Sequence, residues 1–339
     1  MVLKLAFEGF RHGHIFDLYK RADAAPEIEI VAACEEDPAT RNAIMAAGTA
    51  NITHDNYENM LKTVECDAVA VGDYYAKRGA IIYQALSRGK HVICDKPLCT
   101  SLEELNQIEH LCAEKHLKIG CMLDLRDTPQ FIGVRKLVRE GKIGDVHAIS
   151  FGGQHPLLLG TRPDWYFEPG KHGGTINDIA IHAIDIIPWI SGLEFTIINS
   201  ARSWNAFATD FPHFKDAGQM MLTMNNGCGV LGDVSYFMPD SSGYSLPLYW
   251  RMTFWGRKGV LETSCVAGEI LVAVDGEQQL SMLPLPEGNP GGYLEAFMRD
   301  VSGDIRGDAL DTASVLRAAR HTLMIQRAAD LDLREVDLT

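Results

Sequence analysis

The chain has 339 residues, enough for two domains of ordinary size, and 46% hydrophobic against 22% charged residues supplies a sizeable core. Lys plus Arg number 31 against 45 Asp plus Glu, a formal charge of −14 with no cationic run, so a nucleic-acid partner is not expected. The N-terminus meets charge at Lys4 too early for a secretory signal. The most apolar stretch, 176–190, carries Asp178, His182 and Asp185 and is too short to span a bilayer. Eight cysteines with no C-x-x-C pair suit buried free thiols rather than a zinc site. These features predict a protein without membrane association, placed in the reducing cytoplasm.

In chain order, short apolar runs alternate with helical patterns over the first third. Strands are predicted at 2–7, 28–34, 68–72, 91–94 and 118–123, the alternation expected of βαβ units on a parallel sheet. The clearest helix, 102–116, opens on a capping box at Thr100-Ser101-Leu102-Glu103-Glu104 and keeps Leu105, Ile108 and Cys112 on one face. Beyond residue 123 the texture changes. A helix at 131–140 leads into strands at 145–151, 220–223, 229–237, 249–254 and 270–274, with a hairpin turn at Asn225-Asn226-Gly227. Helices at 175–190 and 312–329 complete the pattern. The predicted fold class is α/β: a doubly wound dinucleotide-binding unit over 1–122, then an α+β unit over 123–339 with a large open, mainly antiparallel sheet. The last helix is free to pack back on the first unit.

The first strand runs into Glu8-Gly9-Phe10-Arg11-His12-Gly13-His14. A glycine turn between strand and helix lets backbone amides reach a pyrophosphate, with Gly13 in the last glycine position; taken alone, an ordinary strand–helix turn explains it equally well. Glu35, 22 residues past Gly13 and just after the second strand, strengthens the binding reading, because a carboxylate there accepts from ribose hydroxyls. Glu36 and Asp37 beside it would repel a 2′-phosphate, so NAD is favoured over NADP.

The run 91–94 leads into Asp95-Lys96-Pro97. A lysine at the carboxyl end of a parallel strand stands where open α/β sheets bind ligands, and Pro97 fixes its backbone, in a bond that is free to be cis. Farther on, Asp178 and His182 stand i, i+4 on an apolar helix after Gly173-Gly174, a pairing that would tune an imidazole as a general base. Metal binding is the other option, but only two ligands are offered and no metal is expected. Asp185 reads as a structural hydrogen-bonding group. His155, Arg162, Trp165, Tyr166, Lys171 and His172 offer hydrogen bonds and an aromatic face to a substrate; Arg162 and Lys171 equally suit a carboxylate or phosphate.

Together the glycine turn with its later acid, Asp95-Lys96-Pro97, and Gly173-Gly174-x-x-x-Asp178-x-x-x-His182-x-x-Asp185 resemble the Gfo/Idh/MocA oxidoreductases, over nearly the whole chain. Gly89-Lys90-His91-Val92, Gly141-Lys142-Ile143-Gly144-Asp145-Val146, Trp165 and Gly256-x-x-Gly259-Val260-Leu261-Glu262 match as well. The resemblance implies NAD(P)-dependent hydride transfer at a carbon of a sugar, polyol or related hydroxy compound. It implies Lys96 on the reacting hydroxyl, His182 as acid/base and Asp178 as an orienting group. By position, Gly9, Phe10, Arg11, His12, Gly13, His14, Glu35, Asp73, Asp95, Lys96 and Pro97 would contact the cofactor. It also implies dimers or tetramers packed through the open sheet, for which Met220, Leu222, Val230, Leu231, Met252 and Phe254 are the expected apolar face. Other members are redox-assisted glycosidases, and a non-catalytic dinucleotide-binding regulator is a third reading. The chain departs from the family pattern at Glu8 and Phe10, which replace glycines, at Asp95, which replaces glutamate, and at Gly72-Asp73-Tyr74-Tyr75-Ala76-Lys77-Arg78, where Arg78 takes the place of a histidine.

Overall fold

The computed structural model describes residues 2–304 and 309–338. Uninterrupted apolar runs favour strands buried on both faces, and the first third obeys. Strands β1 (Leu3–Glu8), β2 (Ile28–Cys34), β3 (Ala68–Val71), β4 (His91–Cys94) and β5 (Ile119–Cys121) form one sheet in the order β2-β1-β3-β4-β5, every pair parallel. Helices α1 (Ile15–Ala24), α2 (Pro38–Ala47), α3 (Tyr57–Thr63), α4 (Tyr75–Ser87) and α5 (Leu102–Lys115) connect them. Several helices start where their caps dictate: Asp37 accepts from Thr40 N–H, Asn56 from Asn59 N–H, and Ser101 from Glu103 N–H.

A single 3₁₀ turn (Asp124–Asp127) and α6 (Pro129–Arg139) lead into the second sheet. Its strands are β6 (Val146–Pro156), β7 (Phe195–Trp204), β8 (Ala217–Met224), β9 (Gly229–Met238), β10 (Arg251–Gly256), β11 (Gly259–Thr263), β12 (Glu269–Val274), β13 (Ser281–Pro284) and β14 (Arg334–Asp337). They lie in the order β13-β12-β11-β10-β6-β9-β8-β7-β14, antiparallel except for the parallel β6–β9 pair. Asn225-Asn226-Gly227 joins β8 to β9 as expected, with Gly227 at φ +84°. Strand β7 had no period-2 signature because register shifts at 195/197 and 198/200 displace its buried positions.

The expected helix at 175–190 is two elements: a π-helical turn (Ile176–Ala180) and then α7 (Ile181–Ser191). Helices α6 and α7 cover one face of the large sheet, which corrects the expected open apolar face. Met220, Leu222, Val230, Met252 and Phe254 point into that covered side and are buried; of the six named residues only Leu231, 59% exposed, faces out. The outer face carries Met221, Leu231 and Trp255 instead, the alternate phase of the same strands. Helices α8 (Gly292–Ser302) and α9 (Thr312–Leu331) turn back toward the parallel sheet, burying Tyr293, Leu294, Phe297, Val315 and Leu323 in its core. No helix among the described residues is long and apolar enough to cross a membrane.

Candidate active site

The turn after β1 sets the floor of the site. Gly9 has φ +77°, and a Cβ there would stand 2.7 Å from the Asp73 Cβ, so the close approach of β1 to β3 requires glycine. A Cβ on Gly13 would meet nothing within 4 Å, and the amides of Arg11, Gly13 and His14 have no acceptor among the described residues. This open, donor-rich turn before α1 fits a pyrophosphate. Glu8 does not disturb it. Its carboxyl is wholly buried beside the Cys34 thiol, and burial pushes its pKa well up, which disfavours a charge next to the turn.

Glu35 closes the turn from the end of β2. Its Oε2 accepts from Phe10 N–H at 2.7 Å and its Oε1 from Asp37 N–H at 2.8 Å, and burial raises its pKa. Glu36 and Asp37 keep their charges beside it: Glu36 pairs with Lys77 at 3.0 Å and Asp37 caps α2, and these contacts lower the pKa of both. Lys77 also holds Asp73, at 2.8 Å.

At the end of β4 the Lys96–Pro97 bond is cis. Arg78, fully buried on α4, grips this turn. Its guanidinium donates to the carbonyls of Asp73 (2.6 Å), Asp95 (3.0 Å), Lys96 (2.6 Å) and Pro97 (3.1 Å), and to Asp95 Oδ2 (2.8 Å). His12 and His14 from the first turn also reach the Asp95 carboxylate, His14 at 3.2 Å. Burial would raise the pKa of Asp95, but Arg78, His12 and His14 hold it well below the usual range. The ligand-type atoms of His12, His14 and Asp95 lie within 4.8 Å of one another, a cluster the sequence reading missed. A cation there would compete with Arg78 for Asp95.

Lys96 reaches the π-helical turn. Its Nζ lies 2.7 Å from Asp178 Oδ1 and 3.1 Å from the Asp178 carbonyl. Asp178 also accepts from Tyr75 Oη at 2.7 Å and from Tyr236 Oη, and stands 3.5 Å from His172 Nε2. Burial opposes its charge, yet Lys96 and His172 hold its pKa well below normal, so it stays a carboxylate.

His182 is not its partner. The imidazole Nδ1 is buried without a hydrogen bond and lies 3.6 Å from Asp124 Oδ1. The expected Asp178–His182 pairing assumed a regular α-helix; the wider π turn carries Asp178 and α7 carries His182, so i, i+4 stacking fails. Burial first, then Lys96, His14 and His155, press the pKa of His182 well down, which leaves it neutral at pH 7. Asp185, three residues on, forms a buried two-pronged ion pair with Arg126 at 2.8 and 2.5 Å, in line with its structural assignment.

The remaining expected residues divide. His155 stands within ring contact of Tyr236, Tyr244, Tyr249 and Trp250, and burial drives its pKa down to about 3. Arg162 lies 4.8 and 4.9 Å over the rings of Tyr166 and Tyr236 while donating to the carbonyls of Pro156 and Leu157. Tyr166 joins the Asp178 cluster through Tyr75, Oη to Oη at 2.8 Å. Trp165 is buried, stacked on Tyr166 and donating to the Arg11 carbonyl at 3.0 Å, which clasps the 157–172 loop to the first turn. Lys171 stands apart, paired with Glu168 and over the ring of Tyr74, beside Arg11. His172, expected on the substrate side, joins the Asp178 cluster. Missed from sequence as site residues were Tyr75, Arg78, Asp124 and Tyr236; Tyr75 and Arg78 had a signal, the departure of 72–78 from the family pattern.

Comparison with known proteins follows this geometry. Residues 9–122 match the model of an oxidoreductase family with an NAD-binding Rossmann fold, and residues 131–262 match the GFO/IDH/MocA C-terminal domain. The chain is 21% identical over 271 residues to an inositol 2-dehydrogenase/D-chiro-inositol 3-dehydrogenase of Lactiplantibacillus plantarum, covering 78% of this chain and 71% of that protein. It is 26% identical over 218 residues to a levoglucosan dehydrogenase of Pseudarthrobacter phenanthrenivorans, covering 63% of this chain and 54% of that protein. The chain spans about half the length of several curated relatives it matches. An inositol dehydrogenase homolog from Azotobacter vinelandii, solved with NAD+, shares the fold with a TM-score of 0.80 at 17% identity, over 99% of this chain and 97% of that one.

Proposed function

This chain belongs to the GFO/IDH/MocA family of NAD-binding oxidoreductases, and from that premise we propose that it is a dehydrogenase or reductase acting on a CH–OH carbon of a sugar, polyol or related hydroxy compound. The observation that carries the reading is the meeting of Lys96, Asp178 and a neutral, buried His182 at the carboxyl end of the parallel sheet. The bound cofactor supplies the hydride acceptor or donor. The open amides of the first turn would hold its pyrophosphate, and Glu35 its adenosine ribose.

Lys96 stabilises negative charge developing on the substrate oxygen, with Asp178 fixing its ammonium, and His182 takes the hydroxyl proton. Tyr236, His155 and Arg162 line the substrate side. NAD preference over NADP rests on Glu35 with the ionised Glu36 and Asp37 beside it; a preference of at least about tenfold, roughly 1.4 kcal/mol, is expected by calorimetric titration of both. We place residues 1–122 as the cofactor-binding unit and 123–339 as the substrate and assembly unit, with homodimers or tetramers formed through the outer sheet face. The buried free cysteines suit a cytoplasmic location.

The test is a panel of sugars, polyols and hydroxy acids with NAD, reading NADH. General-base assistance is worth about 10²–10⁴-fold, so His182→Ala should lower kcat by that factor while NAD affinity stays near wild type. Stoichiometric NADH separates this reading from a redox-neutral glycosidase. Undiminished turnover in the alanine variant would overturn the assignment of His182.

A further inference from the structure

From the contact between α7 and the 3₁₀ turn, we infer that Asp124 is the carboxylate partner of His182, orienting the imidazole and carrying its proton to solvent. The inference rests on the dehydrogenase reading for the proton's origin, but the pairing itself rests on geometry.

Three observations support it. The Nδ1 of His182 is a buried polar atom without a hydrogen bond, and a nitrogen in that setting calls for a partner. Asp124 Oδ1 lies 3.6 Å away, whereas the Asp178 carboxylate is already engaged by Lys96, Tyr75, Tyr236 and His172. The register of the two elements is locked. His182 and Asp185 stand three residues apart on α7 and so share a face, and Asp185 grips Arg126, two residues from Asp124. The Arg126–Asp185 pair therefore sets Asp124 against His182.

The groups facing His182 are Lys96 from the turn after β4, His14 from the first turn, His155 from β6, Asp178 from the π turn and Asp124. Among them only Asp124 pairs a carboxylate with exposure: its side chain is 63% exposed, although the groups crowding it raise its pKa, while Asp178 is buried. An Nδ1–H donated to Asp124 leaves the Nε2 lone pair for the substrate. In the oxidative direction the substrate C–H bond breaks and its hydride passes to NAD, while the O–H proton moves to Nε2 of His182. The imidazolium then releases its Nδ1 proton to the Asp124 carboxylate, which passes it to water. Once product has left, Nε2 gives its proton to water and Nδ1 regains one through Asp124, so the imidazole returns to its starting tautomer and the carboxylate to its starting charge, with one proton released in all.

The experiment compares wild type with Asp124→Asn and Asp124→Glu. Nitrogen-15 NMR of the His182 imidazole in cofactor-free protein reads tautomer and pKa; kinetics across pH read kcat and KM. We expect Asp124→Asn to shift the His182 titration to lower pH and to disturb its single tautomer. It should lower kcat by about tenfold or more at nearly constant KM, with the acid limb of the rate profile moving the same way. Asp124→Glu should restore a large part of both. A His182 spectrum and titration unchanged in Asp124→Asn would overturn the pairing, whatever happens to the rate. An unchanged rate profile beside a shifted titration would overturn the proton-carrying role. If wild type turned over no substrate in the panel, the dehydrogenase reading would fail, and the NMR comparison would still decide the pairing.

Discussion

Removing the Arg78 guanidinium should be among the most destabilising single changes available in this chain. In Arg78→Met the side chain keeps most of its apolar length against the Tyr75 ring, over which the guanidinium carbon now sits at 4.6 Å. What is lost is the ion pair with Asp95 and the bonds to the carbonyls of residues 73, 95, 96 and 97. Both partners of the ion pair are fully buried, so the variant leaves the Asp95 carboxylate without its strongest counter-charge. Breaking a buried pair from one side costs about 3–5 kcal/mol. With an unfolding entropy of about 2.1 cal/mol/K per residue, that corresponds to a Tm lower by roughly 4–7 °C for a chain of this length. The deficit depends on pH in a defined direction. Because Asp95 titrates well below its unfolded value, the pair contributes fully above about pH 4, and its contribution fades only as pH falls through the lowered value. Scanning calorimetry of both proteins from pH 5 to 8 should therefore show a constant gap. A Tm within about 1 °C of wild type would show that the Asp95-Lys96-Pro97 turn holds its shape without Arg78, and the argument would fail.

Acid should weaken the fold through its buried neutral histidines. His321, buried on α9 against Phe195, has a pKa pressed down to about 4, so below pH 6.5 the unfolded chain takes up a proton that the native state refuses. Between pH 7 and 5 this removes about 2 kcal/mol, and His321→Gln should lose correspondingly less stability over that interval in urea titrations; parallel pH curves for the two proteins would refute it. Glu8, whose pKa burial raises, works in the opposite direction, so the single-site difference is the quantity to measure. On the outer sheet face, Leu231 and Trp255 are 59% and 54% exposed, and the proposed assembly would cover them. Light scattering at micromolar concentration should report a dimer or larger, and Leu231→Glu should shift it toward monomer; a wild-type monomer would contradict the expectation.

The sequence by itself determined the parallel sheet, because its strands are buried on both faces and must be continuous apolar runs: β2 and β4 begin and end where their residues say. It also determined where the helices with side-chain caps start, since capping is local chemistry. Asp178 and His182 were legible as polar groups in an otherwise apolar helix, and Lys96 from its place just past the carboxyl end of a parallel strand. What the tertiary structure decided is which groups face each other. Asp178 and His182 looked like partners at a helical spacing, and a π turn separated them. The partners they have, Tyr75, His172 and Tyr236 for one and Asp124 for the other, come from elements distant in sequence, where no spacing rule applies. Glu36 and Asp37 read as a negative patch, and only packing showed that Lys77 and the α2 amides hold these two carboxylates in place. The second sheet shows the same division. Alternation in β8 and β9 was visible along the chain, but which phase is covered and which faces outward is set by the π turn that packs on these strands, and no local pattern encodes where that turn comes to rest.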